Sequence, residues 1–184
     1  MLLARVVYAG TFNWLGDRLS IRTPLHTRSP QMSVLTDEFL AMIQTHADTD
    51  AHPPATTSDI SAAEVALGFN LPPEYAEFLL RFNGGVFSYA RIFGVNRNDY
   101  FDIKERGDSM AEFILGSETR QLYPFASDWG GSYFCFNLAD RSSSGQCPIV
   151  FWNHEYSEEP DDAEYLWSDV SHDFGGFLQK LYEA

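Results

Sequence analysis

Cys135 or Cys147, drawn together with His154 or His172, would make a thiol–imidazole pair of the kind used in nucleophilic catalysis. Both cysteines sit inside hydrophobic runs, where free cysteine behaves as a small buried hydrophobe, and no helix start follows either one to activate it. His154-Glu155 and His172-Asp173 are adjacent pairs, and adjacent residues on a strand point to opposite faces. Neither pair has the helical spacing of two zinc-binding histidines. His46, Asp48, Asp50 and His52 alternate like metal ligands. Their segment, HADTDAHPPATTS, reads as a polar, proline-containing linker, which offers a metal no rigid frame. Asp128 and Asp140 could serve as acid and base only if the fold brought them together. Gly84-Gly85, Gly130-Gly131 and Gly175-Gly176 lack the sequence context of a phosphate loop. No catalytic residue, cofactor or metal site is expected, and the chain reads as a non-enzyme.

Charge narrows the partners. Twelve Lys and Arg stand against 26 Asp and Glu, a formal net charge of −14. Nucleic-acid binding needs clustered basic residues and is not expected. An acidic surface suits a basic macromolecular partner through steering and complementarity, although many soluble proteins are simply acidic. Residues 1–31 differ from the rest: four arginines and one aspartate give a net +3, which leaves −17 for the remainder. They read as a basic, loosely ordered extension preceding a single domain over residues 32–184, with Met32 as the natural start. Arg5 interrupts the early apolar run, so a secretory signal fits poorly, and an organelle transit peptide is the lesser alternative. No apolar run approaches the roughly 20 residues of a membrane span, so a cytoplasmic protein is expected. Two cysteines make no disulfide framework.

The elements follow from periodicity and punctuation. Thr36 reads as the N-cap of a short helix, with Leu35 and Leu40 as a hydrophobic staple and Phe39, Leu40 and Ile43 on its apolar side. A helix pair follows between Asp59 and Gly85. Ser61 and Glu64 have capping-box spacing, and Pro72-Pro73 opens the second helix. Tyr75, Phe78, Leu79 and Phe82 form one stripe, Glu77 and Arg81 an exposed pair, and Asn83-Gly84-Gly85 a stop. Strands are expected at 86–93 and 100–103, with a short helix at 109–115. Ser127–Gly131 reads as a turn carrying Trp129, ahead of a hairpin whose strands cover 132–138 and 147–152. Residues 155–164 hold six carboxylates and no base: Glu155, Glu158, Glu159, Asp161, Asp162 and Glu164. Such runs are usually solvated, yet this one lies beside the hairpin. Those six residues and Trp129 are the candidate partner-binding residues. A closing helix is capped by Ser171 and shows Phe174, Phe177, Leu178, Leu181 and Tyr182 on one face. Together the elements predict an α+β domain, a mostly antiparallel β-sheet covered by helices.

The pattern Ile60…Glu64…Leu67-Gly68…Leu71-Pro72…Glu74-Tyr75…Phe78-Leu79…Asn83-Gly84-Gly85 resembles the signature of the SUKH superfamily, which includes fungal cell-wall assembly regulators and many bacterial immunity proteins. The Asp128-Trp129-Gly130-Gly131 turn, the strand ending Phe151-Trp152-Asn153-His154 and the closing helix extend the resemblance over roughly residues 58–182. Asn153, between Trp152 and His154, is a modest departure. The resemblance implies the same α+β architecture and a non-enzymatic protein-binding module. It points first to an immunity protein that neutralises a cognate toxin by direct binding, with a basic toxin domain as partner. An intracellular scaffold or regulator of a signalling or cell-wall pathway is the alternative. It ranks lower because the fungal proteins carry long disordered arms that this chain lacks.

Overall fold

The computed structural model describes residues 35–46, 52–114, 121–157 and 166–183. The basic segment 1–31, Asp48, Asp50, the side chain of His46, and the acidic residues Glu158, Glu159, Asp161, Asp162 and Glu164 lie outside the described residues. The helices are α1 (Asp37–His46), α2 (Thr57–Leu67), α3 (Pro73–Leu79), α4 (Ile103–Ile114) and α5 (Phe174–Glu183). The strands are β1 (Gly85–Phe87), β2 (Ala90–Ile92), β3 (Leu122–Ser127), β4 (Tyr133–Asn137), β5 (Ile149–Trp152) and β6 (Trp167–Ser171). All six strands join one antiparallel sheet in chain order. The architecture is the expected α+β. No helix among the described residues is long and apolar enough to cross a membrane.

The α3 stripe explains where the core sits. Tyr75 is fully buried, with the rings of Phe125, Phe136 and Phe174 at 5.8, 5.2 and 5.1 Å. Its hydroxyl donates to the Phe93 carbonyl at 2.6 Å, so the one polar atom of this hub is paired. Burial pushes the Tyr75 phenol well above its ordinary value. Phe177 of α5 closes on Phe125 and Phe134, fixing α3 and α5 against the strands β3 and β4. Glu74, next to the hub, is buried and accepts from the Gly175 backbone N–H at 2.8 Å, tying the first turn of α3 to the first turn of α5. At Thr36 the expected cap is present, since its hydroxyl accepts from Phe39 N–H at 3.1 Å, and Leu35 and Leu40 are both buried.

Several local expectations are corrected. The capping box is built by Thr56 and Asp59, five residues before the Ser61–Glu64 spacing; Glu64 instead accepts from Leu71 N–H at 2.9 Å. Arg81 pairs with Asp37 of α1 at 3.2 Å rather than with Glu77. The expected strand at 86–93 is a hairpin, folded at Ser88, whose φ of 54° is left-handed. The expected strand at 100–103 reduces to one bridge between Gly94 and Asp102. Asp102 accepts from Lys104 and Glu105 N–H and so starts α4 six residues before the expected helix at 109. The cap of α5 is Asp173, which accepts from Gly176 N–H at 2.9 Å, and Ser171 ends β6 instead. β6 itself had no clear signal: WSDVS shows only partial burial and no strict alternation.

Candidate functional site

Two polar clusters could carry function, and the first proves structural. Asn83 pairs with Val95 as a strand neighbour would: its Nδ2 donates to the Val95 carbonyl at 2.9 Å, and Val95 N–H donates to Oδ1 at 2.8 Å. Glycine is required alongside. A Cβ on Gly94 would lie 2.3 Å from the Asn83 carbonyl oxygen, and one on Gly84 2.6 Å from the Gly94 nitrogen. Arg97, its side chain 2% exposed, donates from Nε and Nη2 to both Asp99 oxygens at 2.9 and 2.7 Å, and from Nη1 to the Asn83 carbonyl. His52 Nε2 reaches the same carboxylate at 3.0 Å. The Arg97 guanidinium holds the Asp99 carboxyl below the usual carboxylate range. The Asn83-Gly84-Gly85 motif is therefore a lock between α3 and the loop after β2. The Asn83 side chain and all three Arg97 guanidinium nitrogens are satisfied internally. A cleft of about 410 Å³ between α2 and α4 borders it, and a groove of about 390 Å³ lies between α1 and the end of α3.

The second cluster lies at the end of the sheet where β3 turns into β4. Register pairs Arg91 with Ser127, Ser127 with Tyr133, Tyr133 with Trp152, and Trp152 with Trp167. Register partners project from one face, so these five side chains form a row across five strands. The Tyr133, Trp152 and Trp167 rings follow one another at 6.1 and 6.4 Å. Above the row stands the turn. Asp128 Oδ1 accepts from Gly131 and Ser132 N–H at 2.8 Å each, a side chain closing its own turn. That closure lifts Trp129 to the tip, where it is 63% exposed. Arg91 stacks on the indole, its guanidinium carbon 4.1 Å from the ring centroid. Ser132, the last turn residue, meets His154 Nδ1 at 3.1 Å. Asn153 caps the short turn His154–Tyr156 through Glu155 N–H at 3.1 Å, which leaves Glu155 exposed.

The residues flanking the acidic stretch lie at this same end. Ser157 is its last described residue on one side and Leu166 its first on the other, and Leu166 accepts from Asn153 N–H at 3.0 Å. Of the residues expected to bind a partner, Trp129 and Glu155 thus share one sheet end, and the other five lie outside the described residues.

The residues considered for catalysis are dispersed. Cys135 is fully buried in β4 and burial pushes its thiol up; the Cys147 thiol is raised for the same reason. His154 faces Ser132, not a cysteine, and His172 is exposed. Asp128 closes the turn before β4 while Asp140 accepts from Asn137 Nδ2 after it, at the opposite end of the strand. Ser132 and His154 do form a hydroxyl–imidazole pair that sequence reasoning missed. Ser132 is 3% exposed, and no carboxylate orients the ring among the described residues. The pair fastens the turn to the end of β5. Among the described residues no three His, Cys, Asp or Glu side chains gather as metal ligands.

The SMI1 / KNR4 family (SUKH-1) matches residues 54–180 of the chain, and the protein belongs to that family. The match covers α2 through most of α5, including the Asn83 lock and the Trp129 turn. None of the curated proteins compared with the chain matches it. Among solved structures, a crystal structure of a protein from Pseudomonas syringae pv. tomato is similar at 18% identity, over 64% of this chain and 83% of that one, with a TM-score of 0.49.

Proposed function

We propose that this protein is a non-enzymatic protein-binding module, an immunity protein that neutralises a cognate toxin in the cytoplasm by binding it directly. One observation carries the reading: an exposed tryptophan, fixed by a closed turn and an arginine stack, shares its sheet end with Glu155 and with both ends of the acidic stretch. A rigid aromatic anchor loses little entropy on contact, and aromatic anchors are the residues that dominate binding energy at interfaces. The chain's excess of carboxylates would select a basic partner and speed its approach. Family membership supports protein binding in general, and the −17 charge outside residues 1–31 supports a basic partner such as a nucleic-acid-directed toxin domain.

Affinity capture from the native host, with coexpression against a neighbouring toxin gene, tests it. Recovery of a basic protein and rescue of growth are expected, and the quadruple change of Glu158, Glu159, Asp161 and Asp162 to Lys weakens the complex and flattens its salt dependence. Recovery of no basic partner, with no rescue, overturns the reading. Capture of signalling or cell-wall proteins instead would favour the scaffold alternative.

A further inference from the structure

Arg91 does not fit the charge distribution around it. In a chain with 26 acidic side chains, this half-buried arginine side chain has no carboxylate within ion-pair distance and no hydrogen bond among the described residues. Its guanidinium stacks on the face of Trp129, a contact that engages the flat side of the group rather than its N–H donors. The Nε atom is shut off from solvent and unpartnered. Directly opposite in register stands Ser127, 2% exposed, and its hydroxyl is buried and unpartnered as well. The two side chains leave the same face of the sheet with Cβ atoms about 5 Å apart.

A buried polar atom without a partner costs roughly 1–3 kcal/mol, so two such atoms side by side call for an explanation. Both can donate, and one belongs to a fixed positive charge. What completes the set is an acceptor bearing negative charge. The next residue in the row repeats the theme. Arg106 of α4 lies over Tyr133, 5.7 Å from the ring centroid, and its Nε is also unpartnered; its polar contact is the Tyr100 hydroxyl, not an acid. Two arginines without acidic partners thus stand at β2 and β4, on either side of the strand that carries the orphaned hydroxyl.

We propose that Arg91 and Ser127 form a subsite for an oxyanion, a carboxylate or a phosphate group, with Trp129 as its wall and Arg106 as a second positive charge nearby. The subsite rests on these contacts alone and does not require the toxin-binding reading. Charge-assisted hydrogen bonds from an arginine edge and a serine hydroxyl are the ordinary means of holding such a group.

The full chain, labelled with nitrogen-15, tests it through the Arg91 Nε–H and Trp129 indole N–H signals. Sodium phosphate and, separately, sodium acetate are titrated against sodium chloride at constant ionic strength. Saturable shifts of both signals are expected, with dissociation constants in the millimolar range. Ser127→Ala should weaken binding about tenfold, as losing one hydrogen bond to a charged group implies. Arg91→Lys, which keeps the charge and loses the planar edge, should abolish saturation. Arg81→Lys, remote and already paired to Asp37, should change nothing. Saturation by acetate alone assigns a carboxylate ligand, and by phosphate alone a phosphate. Linear shifts with both anions, or saturation unchanged in Ser127→Ala, overturn the subsite. Ser127→Ala removes only an unpartnered hydroxyl, so it keeps the test decisive if Arg91→Lys fails to fold.

Discussion

Replacing Asn83 with alanine takes away the side chain that completes two buried hydrogen bonds to Val95, at 2.9 and 2.8 Å. The methyl group of alanine cannot replace either. Val95 N–H and Val95 C=O then stay buried without partners, because Val95 is itself fully buried and water has no ready path to it. An orphaned buried group costs about 1–3 kcal/mol, and a carbonyl at the low end of that range because it is less often fully satisfied anyway. The expected loss is about 2–4 kcal/mol, a large share of the roughly 5–15 kcal/mol that holds an ordinary domain together. For a chain of this size that corresponds to a Tm lowered by about 5–15 °C. Urea unfolding followed by tryptophan fluorescence reads it as a lower midpoint with unchanged slope. Asn83→Asp keeps one acceptor but sets a carboxylate oxygen against the Val95 carbonyl, so it should lose at least as much. A loss below about 0.5 kcal/mol in Asn83→Ala, with Val95 amide exchange still protected, would refute the lock.

Gly94→Ala forces a Cβ to within 2.3 Å of the Asn83 carbonyl, a backbone atom that cannot swing aside, and should destabilise by more than about 2 kcal/mol in the same urea assay. Thr56→Ala removes the capping box of α2 and should lower Tm by about 2–4 °C, whereas Ser61→Ala should leave it within about a degree; equal effects would contradict the assigned cap. The Asp99 carboxyl is held below its usual value by Arg97, so its contribution is fully present above the unfolded-chain pKa of about 3.8 and is lost as pH falls through the lower folded value. Asp99→Asn should therefore flatten the fall of Tm between about pH 5 and pH 2, and an unchanged acid limb would remove Asp99 from it. Because burial raises both thiols, maleimide at about pH 8 should label neither Cys135 nor Cys147 until denaturant is added; rapid native labelling of either, read by mass spectrometry, would contradict the packing.

The family motif was legible because its residues act locally or at fixed separation. Proline at the start of α3 and the stripe from Tyr75 to Leu79 each declare a helix boundary or face without help from the rest of the chain. Asn83-Gly84-Gly85 reads locally as a stop signal, and the folded chain gives it a second role. Its asparagine imitates a strand for Val95, and its glycine requirement comes from the backbone of 92–94, twelve residues and a hairpin away at the farthest bond. β6 escaped notice for a related reason: WSDVS pairs with β5 because the register of the sheet holds it there, not through any pattern of its own.

The candidate site divides along the same line. Sequence alone determined that Trp129 sits on a turn, since Asp128 and two glycines specify one through bonds within five residues, and that the acidic stretch follows the second hairpin strand. Composition alone fixed the excess of carboxylates. Only the tertiary structure decided that Arg91 stacks on Trp129, that Ser127 faces Arg91, and that Arg106 reaches Tyr133 from a helix. Those contacts join β2, β3, β4 and α4, and strand register is set by the packing of the whole sheet against α3 and α5. A side chain's neighbours along the chain are written in the sequence, while its neighbours across strands exist only once the core has chosen the register.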